Sequence, residues 1–226
     1  MNINKHLILL FSVLFFLFAV SVSSGCFRKN ESDVKSVVRN ELDQLKNLDS
    51  ETTQKYIPYT ELFPDATENT DLTDEINETF SLFFRKFNYK ISDVIVGTAN
   101  HSATVSVKLT TIDSKVLARD FKAELLRTQI TESAQAQKGN IKDSSRSLEA
   151  HYLILNHLLN TNDYDTAETD CNIQLVNTGN DKKEKWKIQR TNSLEDDLVG
   201  GLIADLADPD ILSPEDTLTV YLDTLQ

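Results

Sequence analysis

The residues of this chain that could do chemistry are few and widely spaced. There are two thiols, Cys26 and Cys171, and four imidazoles, His6, His101, His151 and His157. His151 and His157 stand six apart on one predicted helix, so they face different sides and cannot chelate one metal together. His101 falls in a predicted turn, where a solvated imidazole is ordinary. Acidic residues gather at Glu195-Asp196-Asp197, at Asp205, Asp208 and Asp210, and in Asn162-Asp163-Tyr164-Asp165. A calcium loop needs oxygen ligands alternating about a central glycine over about 12 residues. None of these clusters has that form, and they read as solvated helix ends. The chain has no glycine-rich phosphate loop, no G-x-S-x-G, no H-E-x-x-H and no C-x-x-C. One acid, Asp93, lies inside a predicted strand. It is the one candidate general base, and its other reading is a polar residue at a bulge. No catalytic, cofactor-binding or metal-binding residue is assigned.

Cys26 is different, because of what precedes it. Met1 to His6 carries Lys5, and an apolar run from Leu7 to Val22 follows, interrupted by Ser12 and Ser21. The small residues Ser23-Ser24-Gly25 then lead into Cys26. A basic start, an apolar stretch and small residues is the layout of a secretory signal peptide. The ending resembles the lipobox of bacterial lipoproteins, with Ser23 where that pattern prefers leucine. In that family a thioether joins a diacylglyceryl group to the cysteine, and the peptide before it is removed. The resemblance implies a signal peptide over residues 1–25, lipidation at Cys26, a tether over residues 26–30 and a place on the outer face of the cell membrane. Two other readings use the same residues. The segment could be an uncleaved anchor, although the run is shorter than the roughly 20 residues that span a bilayer. Alternatively, Cys26 could be an ordinary thiol past a conventional cleavage site.

The formal net charge is −12. A chain this acidic repels nucleic-acid phosphates, so nucleic acid is excluded as a partner. It also repels an anionic bilayer surface, which leaves the covalent lipid to hold it there. Solubility is reason enough for the charge. With Cys26 acylated, Cys171 has no partner. An intrachain disulfide and a zinc site of several cysteines are then excluded, and Cys171 packs as a small apolar residue.

The elements that must position these residues follow from apolar spacing. Val34, Val37, Val38, Leu42, Leu45 and Leu48 form one helical stripe over residues 31–48, with Asn30 as cap. Residues 50–70 read as loop with a helical turn, punctuated by Pro58 and Pro64 and anchored by Tyr56, Tyr59, Leu62 and Phe63. Asp71 to Phe87 reads as a helix lined by Leu72, Ile76, Phe80, Phe83, Phe84 and Phe87, a core contact or the wall of an apolar cavity. Tyr89 to Val96 reads as a strand whose alternation slips near Asp93, as a bulge would make it do. Gly97 to Asn100 make a turn. Ala103, Val105, Val107 and Leu109 then alternate with polar residues in a half-buried strand.

Helical spacing returns over residues 115–160. Leu117, Phe121, Leu125, Leu126, Ile130 and Ala134 mark one helix. Leu148, Tyr152, Leu155 and Leu159 mark another, with a break over Gly139 to Ser145. Two strands follow, through Ala167, Cys171, Ile173 and Leu175 and through Trp186 and Ile188, joined at Asn177 to Lys183. Leu194, Leu198, Leu202 and Leu206 predict one closing helix with Gly200-Gly201 inside it. Pro209 and Pro214 bracket a loop. A last helix is expected to dock on the domain through Leu218, Leu222 and Leu225, with service to a partner protein as its alternative.

Three stretches in this order, Thr104 to Thr111, Glu184-Lys185-Trp186-Lys187-Ile188, and Leu194 to Leu202, resemble small lipoproteins of Gram-positive bacteria with an NTF2-like (cystatin-like) domain. The resemblance implies an α+β fold over residues 31–207. A curved antiparallel sheet would pack on helices, often around an apolar pocket, with a helical insertion at about 115–160 between strands. Residues 208–226 would be a C-terminal loop and short helix. The family carries no established catalytic residues to this chain, and its fold hosts many functions. The resulting expectation is a membrane-anchored extracytoplasmic lipoprotein. Its domain would be a non-catalytic module for a small apolar ligand or an envelope protein, with no cofactor. The alternative is an NTF2-like enzyme using a pocket acid, Asp93, as general base.

Overall fold

The computed structural model describes residues 30–57, 62–63, 66, 72–97, 101–137, 146–179 and 184–225. The expected signal segment, Cys26, Pro58, Tyr59, Pro64 and the Gly139–Ser145 break lie outside the described residues. Helix α1 covers residues 30–46 and buries Val34, Val38, Leu42 and Leu45. Asn30, expected as its cap, is already helical. Leu48, expected in the same stripe, is exposed at a φ of 62°, where the chain leaves the helix direction. Helix α2, Ser50–Tyr56, starts on Asp49, whose carboxylate accepts from Thr52 N at 2.9 Å and Thr52 Oγ1 at 2.6 Å. Those bonds to its charged form hold Asp49 below the ordinary carboxylate range.

Helix α3, Thr73–Phe83, runs into a 3-10 turn, Phe84–Lys86. Phe80, Phe83, Phe84 and Phe87 are all buried, with neighbouring ring centroids 5.3 to 6.4 Å apart. Full burial of such a ring stabilises the fold by roughly 1.5–3 kcal/mol. These rings are core rather than the wall of a cavity.

Strand β1, Asn88–Val96, pairs antiparallel with β2, Ser102–Ile112. The register shifts between Ile91 and Asp93, placing the bulge where the alternation slips. Helices α4, Ser114–Ala136, and α5, Leu148–Thr161, intervene before β3, Thr166–Asn177. They are capped by the side chains of Asp113 and Ser147. Strand β3 returns along the whole of β2, from Ser102 opposite Val176 to Ile112 opposite Thr166. The short strand β4, Trp186–Ile188, completes an antiparallel sheet of order β1-β2-β3-β4. The fold is therefore α+β, with a helical pair inserted between two neighbouring strands. Alternate residues of β2 and β3 (Val105, Val107, Leu109; Cys171, Ile173, Leu175) point into the helical layer and are buried. The other face is polar, with Lys108 Nζ 3.1 Å from Glu168 Oε2.

Two expectations about the C-terminal region are corrected. Leu194, Leu198, Leu202 and Leu206 are all buried, but on two helices, α6, Asn192–Leu198, and α7, Leu202–Ala207. Gly200 and Gly201 separate them at φ of 67° and 92°, a left-handed conformation that ends helices. A Cβ on Gly200 would stand 2.2 Å from Thr111 Oγ1, so this corner lies directly on β2. Helix α8, Pro214–Thr224, is capped by Ser213 and packs on α4, as its amphipathic spacing suggested. It docks through the opposite side, however. Val220 is buried, whereas Leu218, Tyr221, Leu222 and Leu225 are 58%, 49%, 52% and 59% exposed. The far half of α4 is likewise thinly covered, since Leu125, Leu126 and Ile130 are half-buried and Ala134 is exposed.

Candidate functional site

None of the candidate chemical residues of the described chain meets another in a catalytic arrangement. Asp93 follows the bulge on the edge strand β1 and faces water. A general base needs a pocket that positions substrate and excludes water, so the enzyme reading through Asp93 is withdrawn. His101 and His157 are exposed. His151 is half-buried, with its ring 4.8 Å from that of Phe63 and 5.7 Å from that of Phe121. Its Nδ1 lies 2.7 Å from the Ser147 carbonyl, which can only accept, so the proton sits on Nδ1. Burial holds its pKa below the ordinary value. It is a packing residue of α5.

Cys171 is buried in β3, and burial, with the Asp197 carboxylate beside it, pushes the thiol far up. A thiol so disfavoured as thiolate is inert. Burial also raises Asp197.

Some members of the acidic clusters serve the fold, while Asp163, Asp165, Asp208 and Asp210 face solvent as expected. Glu195 is buried and accepts from Arg190 Nε. Asp196 Oδ1 accepts from Ala204 N and so caps α7. Asp205 Oδ2 lies 2.7 Å from the Ser114 hydroxyl. Asp163 pairs with Lys86 and drops below the usual carboxylate range because of it. Glu195, Asp196 and Asp205 thus serve the fold, and among the described residues no group of three or more His, Cys, Asp or Glu is placed to hold a metal ion. Among the same residues no helix is long and apolar enough to cross a membrane.

Among the described residues, two surface features have no such structural employment. One is the apolar stripe of α8. Leu218, Tyr221, Leu222 and Leu225 stand at i, i+3, i+4 and i+7, the spacing of a helix that lies in another protein's groove. One acid borders it, Glu215 in the first turn, about 20° around the helix from Leu222. Its residues were singled out from the sequence, but as the docking face of the helix.

The other is a groove of about 320 Å³ between α1 and β1, lined by Lys35, Arg39, Asp43, Lys46, Asn88, Tyr89 and Ile91. At 3.6 residues per turn, Lys35, Arg39 and Lys46 fall within roughly 40° of one another around α1. Lys46 Nζ donates to Asn88 Oδ1 at 2.9 Å. Tyr89 Oη donates to Asp43 Oδ1 at 2.6 Å. Burial, and then the Asp43 carboxylate, push the Tyr89 hydroxyl up to about 12. The sequence reading did not single out this groove. The spacing of its three cations was visible along α1, but the arrival of β1 beside them is a tertiary event.

An apolar pocket in the concavity, which the family resemblance implied, is not what this groove provides, since its lining is mainly charged and polar. No family model matches the chain, and no curated protein and no solved structure matches it either.

Proposed function

We propose that this chain is a membrane-anchored extracytoplasmic lipoprotein, held by lipid on Cys26. Its NTF2-like domain serves as a non-catalytic protein-binding module of the cell envelope. The exposed stripe of α8 is the observation that carries the binding role. Four large apolar side chains on one short helix form a contiguous patch, which monomeric proteins rarely leave to solvent without use. Glu215 at its edge and the chain's overall acidity select the occupant. A chain of net charge −12 repels both its own copies and an anionic bilayer. The fitting partner is an envelope protein with an apolar groove rimmed by Lys or Arg. The segment Leu7 to Val22 with Ser23-Ser24-Gly25-Cys26 supports the anchor.

Each half has its own test. Cells expressing the chain are fed a labelled fatty acid. Wild type and Cys171→Ser should carry label, and Cys26→Ser should carry none, because serine cannot form the thioether. Label persisting on Cys26→Ser would refute the anchor. A photo-crosslinking residue placed at 222 should give one discrete heavier adduct in cells, and Leu218→Glu should abolish it. The same residue at 153, an exposed leucine on α5, should give none. Equal crosslinking from both positions would refute the binding face.

A further inference from the structure

We propose that the groove between α1 and β1 is a binding site for a small organic phosphate, held by Lys35 and Arg39 one helical turn apart, with Lys46 adding positive charge farther along the same face. The strongest reason is a charge imbalance against the background of the chain. Acids outnumber bases 35 to 23 overall, yet this groove has three cations to one carboxylate. The carboxylate is moreover engaged, because Asp43 accepts the Tyr89 hydroxyl. Lys35 and Arg39 make no ion pair among the described residues, although acids are abundant in the chain. Lys46 is positioned by a neutral acceptor, Asn88, which orients the ammonium without cancelling its charge.

The groove's surplus matches one ligand class well. A phosphate monoester carries about −1.5 to −2 charges at neutral pH and several acceptor oxygens. The Arg39 guanidinium can take two of those oxygens in parallel, and a lysine ammonium contributes a point charge. A volume of about 320 Å³ exceeds what bare phosphate needs and suits a phosphate with a small organic group attached. The rim is built from a helix and a hydrogen-bonded strand, which gives the cations a stable frame. This site is separate from the α8 stripe and holds whether or not α8 binds a protein. The phosphate could belong to a soluble metabolite or to a lipid headgroup, and the two sources can be told apart.

The test uses the purified full chain in detergent, titrated calorimetrically with glycerol 3-phosphate and, in parallel, with glycerol. Saturable binding of the phosphate alone is expected. Lys35→Gln with Arg39→Gln should weaken it by at least about tenfold, and raised salt should weaken it in wild type. Asp43→Asn should tighten it by about threefold, since a negative charge leaves the groove while an acceptor for Tyr89 remains. That gain cannot come from misfolding, which protects the inference against variants that merely unfold. A parallel arm mixes the Cys26→Ser chain with phosphatidylcholine vesicles that contain or lack phosphatidic acid, whose phosphate is a monoester. Binding only where phosphatidic acid is present, with the same variant dependence and none to glycerol 3-phosphate, makes the lipid headgroup the source of the phosphate. No saturable binding in either arm, or binding untouched by all these variants, overturns the site.

Discussion

Helices α1 and α8 look alike as sequence and end differently. Each carries large apolar residues at helical spacing, and each predicts a face laid on the domain. In α1 that face is sealed, with Leu45 at 0% exposure against the core. In α8 the residues of the stripe face water, and the helix holds to α4 by Val220 on its other side. An amphipathic stripe therefore states that a face wants cover, not what covers it. Helix α1 lies beside β1, where Tyr89 reaches Asp43 and Lys46 reaches Asn88, and beside α2, where Lys55 pairs with Glu41. By the time the chain reaches α8, the sheet face and the inner side of α4 are already occupied by Leu117, Phe121 and the leucines of α6 and α7. What remains for α8 is the outer side of α4.

The largest separation between the two helices should come from truncating one leucine on each. Leu45→Ala should cost about 2–5 kcal/mol in urea unfolding, because a cavity is left in a packed core. Leu222→Ala should stay within about 0.5 kcal/mol. Equal costs would mean that α8 docks as first expected. Next in size is Gly200→Ala at the α6–α7 corner, with a cost above about 1 kcal/mol. Its φ of 67° disfavours any side chain, and the new methyl meets Thr111 Oγ1. This variant tests whether the corner is fixed on β2 as firmly as α1 is on the core. Val220→Ala should cost about 1 kcal/mol, above any change in the exposed stripe and below any in α1. A negligible cost would mean that α8 hangs free.

The smallest effect is one of pH. His151 of α5 packs against Phe121 of α4 and Phe63, and burial lowers its folded-state pKa from 6.5. As pH falls below about 6.5, the unfolded chain takes up this proton before the folded one does. Its contribution is therefore complete above that pH, declines as pH falls, and levels off once the folded form is protonated too. Urea midpoints measured from pH 7.5 down to about 5 should fall, and His151→Phe should flatten that limb. A limb unchanged in His151→Phe would assign it to other groups.

Much of the fold was legible because its signals are local. The alternation Ala103, Val105, Val107, Leu109 states a half-buried strand whatever lies behind it, and the slip near Asp93 marks a bulge that the register shift between Ile91 and Asp93 realises. The phenylalanine spacing of α3 and the paired helices over 115–160 were legible for the same reason. The closing helix was misread at Gly200-Gly201. Leucines at helical spacing run on through both glycines, and only contact with Thr111 requires the left-handed turn.

The candidate sites were legible only in parts. The sequence by itself determined the period of each element, the excess of acid, the apolar run before Cys26 and the cation line at 35, 39 and 46. These depend on residue type and on distances of a few residues along one chain segment. Tertiary structure alone decided that α1 is covered and α8 is bare, that Asp93 faces water, that Glu195 is buried against Arg190, and that β1 closes a groove over three cations. Each of those outcomes depends on a second segment, distant in sequence, arriving at the same place. Periodicity along one segment carries no term for which of two willing faces packing will reach first.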